Sequence, residues 1–281
     1  AVSTSRDGAR IAAGGSEADN LAILGAARAL RATGRPAGLL TTAIEHPAVL
    51  GCARALEREG HVWVRLGVDG EGRVDPGELA GSLRAHPEIG LVSLAAANHE
   101  LGNAYDIAAL VRVVREFAPQ ALVHSDAVQA FGKIPVDLHA WDLDLMSLSA
   151  HKVHGPKGVG ALLHRRGLAL APVLFGGPQE RGRRPGSEAV ALIAGFGVAA
   201  ELAASEREQR QRHTRALVDR LRAGLAELPG VTIHGDRERC TGTTVNAGFA
   251  GCDGLLLLIN LDLAGFAVSA GAAGTVGEAE A

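Results

Sequence analysis

The chain has 281 residues, 47% of them hydrophobic and 21% charged, with a formal net charge of −3. That apolar content in a chain of this length buries a large core and excludes a disordered protein, and the scattered basic residues exclude a nucleic-acid surface. Aromatics make up only 3%, so the core must be assembled from Ala, Leu, Val and Ile.

Helix-period and strand-like stretches alternate from the start. Residues 17–31 read as a helix, 37–44 as a buried strand, 47–58 as a helix and 62–66 as an extended segment. Asp75-Pro-Gly-Glu-Leu-Ala opens another helix; 91–96 is a strand, 107–117 a helix, and 122–125, 143–148 and 159–163 continue the strand series. A long helical stretch is predicted over 187–228. Beyond Pro229-Gly230 come short strands at 231–234 and 243–247, a helix at 254–263 and a strand near 266–269. Strands that are apolar throughout and spaced by helices specify an α/β fold with a mostly parallel sheet covered on both faces. The expected division is a large domain over 1–208 and a smaller one over 209–281.

Cys52, Cys240 and Cys252 are odd in number and lack zinc-ligand spacing, which predicts free thiols in a reducing compartment. Cys52 and Cys252 are expected to be small buried hydrophobes. No apolar run reaches the eighteen residues of a membrane span and no leader-like pattern opens the sequence, so a cytoplasmic protein is expected.

Ligands in such sheets bind at the carboxyl ends of the strands, and Asn98, Asp126 and Lys152 all fall just past strand runs. Lys152 ends an apolar run and enters the glycine-rich turn His154-Gly-Pro-Lys-Gly-Val-Gly160. Taken singly it reads as a solvated loop residue, and Asp126 as a turn or cap. Together they suit imine chemistry: an amine to condense with the aldehyde of pyridoxal phosphate, and an acid for its ring nitrogen. The Gly14-Gly15 turn, entering a helix near Glu17, offers free N–H groups and a positive dipole end suited to a phosphate. His151 and His154 have no third ligand nearby, so no metal is expected.

Six runs spread in order over nearly the whole chain go further. They are Gly14-Gly-Ser-Glu-Ala-Asp-Asn-Leu-Ala22, Thr42-Ala-Ile-Glu-His46-Pro-Ala-Val49, Ala97-Asn98-His-Glu-Leu-Gly102, His124-Ser-Asp126-Ala-Val-Gln129, Ser147-Leu-Ser-Ala-His-Lys152-Val-His-Gly-Pro-Lys-Gly158 and Gly177-Pro-Gln-Glu-Arg-Gly-Arg-Arg-Pro-Gly-Ser-Glu188. In this register the sequence resembles the cysteine desulfurases, pyridoxal-phosphate enzymes of the class V aminotransferase superfamily. The resemblance implies the fold-type-I architecture of such transferases: a large domain with a mostly parallel seven-stranded sheet and a smaller α+β C-terminal domain.

The resemblance also implies roles. Lys152 would form the Schiff base and then remove the substrate's α-proton. Asp126 would pair with the ring nitrogen, Gln129 would donate to the ring's phenolate oxygen, and His46 would stack on the ring and assist proton transfer. Asn98 would meet the phenolate or the substrate. Gly15, Ser16, Ser149 and His151 would hold the phosphate, joined by Ser187 of a neighbouring subunit in a homodimer. The activity implied is conversion of L-cysteine to L-alanine, with sulfur passed as a persulfide to a loop cysteine. From there it would reach an acceptor protein such as an iron–sulfur scaffold, or serve tRNA thiolation, with no direct nucleic-acid or membrane contact.

The pattern breaks at the nucleophile. The run Ser269-Ala-Gly-Ala-Ala273 is followed by Gly274, where the family has a cysteine on a mobile loop that attacks as a thiolate. Either the nucleophile is missing, or the sequence is a portion of a longer chain that includes the family's carboxylate-binding arginine. The second is the expectation. A selenocysteine lyase, a cysteine lyase or another class V aminotransferase-like enzyme on the same site remains open, as does an inactive scaffold.

Overall fold

In the central strands, successive residues enter opposite halves of the core. Leu39, Leu91, Leu122, Leu145 and Leu162 pack on one side of the sheet, while Leu40, Val92, Val123, Met146 and Ala161 pack on the other. A period of two with both sets apolar is what a sheet covered on both faces demands. The structure, a computed structural model, describes residues 7–271.

The elements run β1 (Asp7–Ala12), α1 (Gly15–Ala32), β2 (Gly38–Thr42), α2 (Pro47–Arg58), β3 (Trp63–Leu66), α3 (Pro76–Ala85), β4 (Ile89–Ser93), α4 (Ile107–Phe117), β5 (Leu122–Asp126), β6 (Leu145–Ser149) and β7 (Gly160–Arg165). They continue as α5 (Val190–Ser205), α6 (Arg207–Ala226), β8 (Val231–His234), β9 (Asn246–Phe249) and α7 (Gly254–Leu263). The large sheet has the order β1-β7-β6-β5-β4-β2-β3. Strands β2 to β6 are parallel, whereas β7 runs antiparallel to both β6 and β1. Helices α1 and α2 cover one face; α3, α4 and part of α5 cover the other.

Local chemistry explains where the helices start. Pro47 and Pro76 occupy first-turn positions, where a missing N–H does no harm. Asp75, Asp106 and Asp253 cap α3, α4 and α7 by accepting from Gly77, Ala109, and both Leu255 and Leu256 N–H groups.

Several expectations need correction. The predicted helix over 187–228 is two helices meeting at Glu206, and α5 begins only at Val190. Residues 266–269 form no strand, and the strand expected at 243–247 starts at Asn246. Strand β1 was not anticipated. Cys52 is buried as expected, but Cys252 is exposed, because the turn after β9 leaves it outside the core. Gly274 lies outside the described residues. No helix among them is long and apolar enough to cross a membrane.

The small β8–β9 sheet is tied to the loop after β4. Asn103 accepts from the Asp236 N–H at 2.8 Å and donates to the Glu71 carbonyl at 2.7 Å, while Arg73 pairs with Asp236 at 2.7 Å.

Gly90 tests the tightness of the central sheet. A Cβ there would lie 1.8 Å from the Pro36 carbonyl oxygen, whereas one at Gly81, inside α3, would meet nothing within 4 Å. Gly90→Ala should therefore cost about 3 kcal/mol in urea unfolding. Gly81→Ala should be neutral or stabilising by up to about 1 kcal/mol. Similar effects at the two sites would contradict this packing.

Candidate active site

The parallel strands present their carboxyl ends at one edge. Strand order reverses between β2 and β4, since the chain leaves β2 for β3 on one side and returns to β4 on the other. Loops diverge at such a point and leave a crevice. Here the two loops are pinned together. The Glu45 carboxylate accepts from Thr42 Oγ1 at 2.8 Å and from the Ala95 N–H at 3.0 Å. Asn98 Nδ2 donates to the Ile44 carbonyl at 2.9 Å, and its Oδ1 accepts from the Glu100 and Leu101 N–H groups.

This double pin presents two imidazoles. His46 caps α2, its Nδ1 accepting from the Ala48 N–H at 3.1 Å. An acceptor Nδ1 leaves the proton of the neutral ring on Nε2. His99 meets it edge to face, with ring centroids 5.0 Å apart. Burial, then the neighbouring charges of His99 and Lys152, push His46 down to about 4, so the ring is uncharged at neutral pH.

Asp126 ends β5, buried, and accepts from the Val128 N–H at 2.9 Å. Burial pushes its pKa up to about 6, against the Val128 N–H and the Lys152 charge, which favour the carboxylate. Lys152 is exposed and lies in the one-turn 3-10 helix Ala150–Val153 that follows β6. His154 then takes a left-handed conformation, φ 65°, and turns the chain back. Thus Lys152 and Asp126 come from the ends of adjacent strands, and the Lys152 charge acts on the Asp126 carboxyl.

Beneath Asp126, on the α1 side of the sheet, lies a sealed polar layer. His124 bonds Ser93 Oγ at 2.8 Å through Nδ1 and Ser147 Oγ at 2.9 Å through Nε2. Asp19 of α1 approaches His124 at 3.7 Å. Burial holds His124 down at about 3 and raises Asp19 well above the carboxylate range. Glu45 is raised to about 7, chiefly by burial, and its Oε2 is buried without a hydrogen-bond partner among the described residues. Asp19, Glu45 and Asp126 repel one another, and such a group in a dry pocket does not ionise all its members together.

Beside Asp126 is a cleft of about 510 Å³ lined by Ala13, Gly14, Gly15, Ser16, Glu17, His151, Lys157 and Gly158. The first-turn N–H groups of α1 open into it without helical partners. A Cβ on Gly15 would meet Val128 at 2.7 Å, so only glycine lets the turn sit this close. The acid of the lining, Glu17, is paired with the Arg184 guanidinium at 2.8 Å and accepts from the Ala13 N–H at 3.0 Å. What remains is positive. Ser149, at the end of β6, bonds His151 Nδ1 at 3.0 Å.

The predicted residues Gly15, Ser16, His46, Asn98, Asp126, Gln129, Ser149, His151 and Lys152 thus gather at one edge. The Asn98 amide is largely spent on holding the loops. Of the predicted residues, Gly15, Ser16 and His151 line the cleft, whereas His46, Asn98, Asp126, Gln129, Ser149 and Lys152 do not; Ser187 stands exposed on the loop before α5 and is not in the lining either. Sequence reasoning missed Asp19, Glu45, His99, His124 and Lys133. Their signal was a polar residue set inside or next to an apolar run.

With this geometry in view, comparisons with known proteins are informative. The class-V aminotransferase family model matches residues 11–277. A cysteine desulfurase of Gluconacetobacter diazotrophicus is 43% identical over 270 residues, 95% of this chain and 66% of that protein. The cysteine desulfurase NifS of Azotobacter vinelandii is 40% identical over 95% of this chain and 65% of its own length. The chain therefore spans about two thirds of the length of these relatives. Among solved structures, a NifS-like protein superposes with a TM-score of 0.88 at 34% identity, covering 93% of this chain and 70% of its own. DndA from Streptomyces lividans superposes with 0.81 at 35% identity, covering 90% and 71%.

Glu45 yields a pH test. An acid whose folded-state pKa is raised favours the folded state fully below its unfolded value and loses that contribution as pH rises through the folded one. For Glu45 that window runs from 4.5 to about 7. Glu45→Gln stays neutral, so its urea midpoint relative to the parent, free of ligand, should climb across this window. A gap that is constant with pH would contradict a buried, neutral Glu45.

Proposed function

Since the chain belongs to the class-V aminotransferase family, we propose that it is a pyridoxal-phosphate-dependent cysteine desulfurase, taking sulfur from L-cysteine and leaving L-alanine. The observation that carries this reading is the convergence of one amine, Lys152, and one buried acid, Asp126, beside a positively lined helix N-terminus. These residues fit the cofactor: the cradle at Gly15 excludes a Cβ, the acid of its lining is already paired, and Asp126 is dry enough to hold a cationic ring nitrogen.

In this reading Gly15, Ser16, Ser149 and His151 bind the phosphate, with the first-turn N–H groups of α1 as donors. Gln129 donates to the ring oxygen, and Asn98 keeps its loop against that of His46. When bound, pyridoxal phosphate supplies an electron sink for charge developing at the substrate's α-carbon. Lys152 takes the α-proton at Nζ. His46, neutral with its proton on Nε2, covers the ring, excludes water and is poised to relay a proton. Asp126 holds a negative charge against the ring nitrogen throughout.

The proposal extends to a homodimer in which the exposed Ser187 of one subunit completes the other's phosphate site. It also covers a cytoplasmic location, a division of the chain near residue 208, and a protein acceptor that takes the sulfur as a persulfide toward iron–sulfur clusters or thiolated tRNA. Gly274, where the nucleophilic cysteine would stand, favours a second reading: an enzyme of the same family that uses the site without sulfur transfer.

Incubation with L-cysteine and a reductant should release alanine and sulfide in equal amounts. Lys152→Ala should abolish both products and the yellow absorption of bound pyridoxal phosphate. Retention of either by that variant refutes the assignment; sulfide released with pyruvate and ammonia in place of alanine, or turnover of L-selenocysteine alone, selects the second reading.

A further inference from the structure

Gln129 lies in the turn after β5, three residues past Asp126, and its side-chain carbonyl Oε1 accepts from Lys133 Nζ at 2.5 Å. A lysine ammonium has three donors and no acceptor. The amide cannot turn its NH2 toward Lys133 without setting donor against donor. The lysine therefore dictates which end of the amide it faces and leaves the NH2 for the other side. We propose that Lys133 is a positioning residue that sets the polarity of the Gln129 amide, so that Gln129 presents a donor, not an acceptor, on the side away from Lys133.

Two further observations support this. Lys133 is half-buried in the turn after β5, where Gly132 packs against Val153 of the Lys152 turn. Burial and then repulsion from Lys152 push it down to about 8. An ammonium kept in such a place needs an acceptor, and among the described residues the Gln129 oxygen is the one it bonds. The inference rests on the pyridoxal phosphate reading in one respect: a ring oxygen bearing negative charge is the group that would take the NH2 donor.

The test combines Lys133→Met, which keeps the length and removes the donor, with Lys133→Arg, Gln129→Ala and the Lys133→Met/Gln129→Ala double variant. Lys133→Met should shift the absorption maximum of bound pyridoxal phosphate and weaken its binding about fivefold, the worth of roughly one hydrogen bond. With L-cysteine it should lower kcat while leaving KM nearly unchanged. Lys133→Arg should restore all three, and Lys133→Met should add nothing in the Gln129→Ala background. A second readout needs no cofactor. In the ligand-free protein, the two Gln129 NH2 proton resonances should be sharp and distinct in the parent and in Lys133→Arg, and broadened in Lys133→Met. An unchanged spectrum and affinity in Lys133→Met, or the same loss in the Gln129→Ala background, would overturn the proposal. A parent protein that binds no pyridoxal phosphate sinks the functional reading instead, and the amide resonances then decide the role of Lys133.

Discussion

A carboxyl group kept out of water at the end of β5 is the constraint around which this site is organised. Burial drives Asp126 toward its neutral form, and one backbone N–H and the nearby Lys152 charge oppose it. The balance leaves the group sensitive to whatever cation is brought against it. Its neighbours comply with that arrangement. Asp19 and Glu45 are raised, and His124, fully enclosed between two serine hydroxyls, is held neutral. A dry pocket tolerates one net charge at modest cost and several only at great cost, so these groups leave Asp126 as the place where charge resides.

The topology supplies the second half of the design. The reversal between β2 and β4 opens a gap, and the Glu45 and Asn98 bonds then close it mechanically at its base. His46 and His99 stand on the two sides of that closure. A tilt of either loop is resisted by hydrogen bonds to the other, which gives the imidazole pair a fixed attitude although both residues sit on loops. The side chains that look least like chemistry, a buried glutamate and a turn asparagine, are those that aim the ones that do.

How much of this is legible in the residues varies with the range of the forces involved. Helix α2 is recovered to the residue because Pro47 and the His46 cap are local signals, and α4 is bounded as cleanly behind Asp106. Strands β2, β4, β5 and β6 declare themselves as apolar runs. Strand β1, Asp-Gly-Ala-Arg-Ile-Ala, carries no such run, and its reason to be extended is a partner at β7 far along the chain. The break at Glu206 has no glycine or proline to announce it. Residues 266–269 have strand-like composition but no neighbouring strand to bond with. At the site, Lys152, Asp126 and the glycine turn were readable from position and chemistry. The link from Lys133 to Gln129, though only four residues long, was not, because the same spacing serves any exposed helix pair equally well.

The antiparallel pairing of β1 with β7 carries a consequence for how the molecule is made. Asp7 is registered against Arg165 and Ala12 against Gly160, so β1, made before every other strand of its sheet, has no mate until the last of them has been translated. Such distant closure slows folding, and a waiting edge strand invites the wrong company in the interval. Arg10 in mid-strand suits that interval: a charge inside a lone extended segment discourages intermolecular stacking, and it is buried only once β7 arrives and the sheet is sealed.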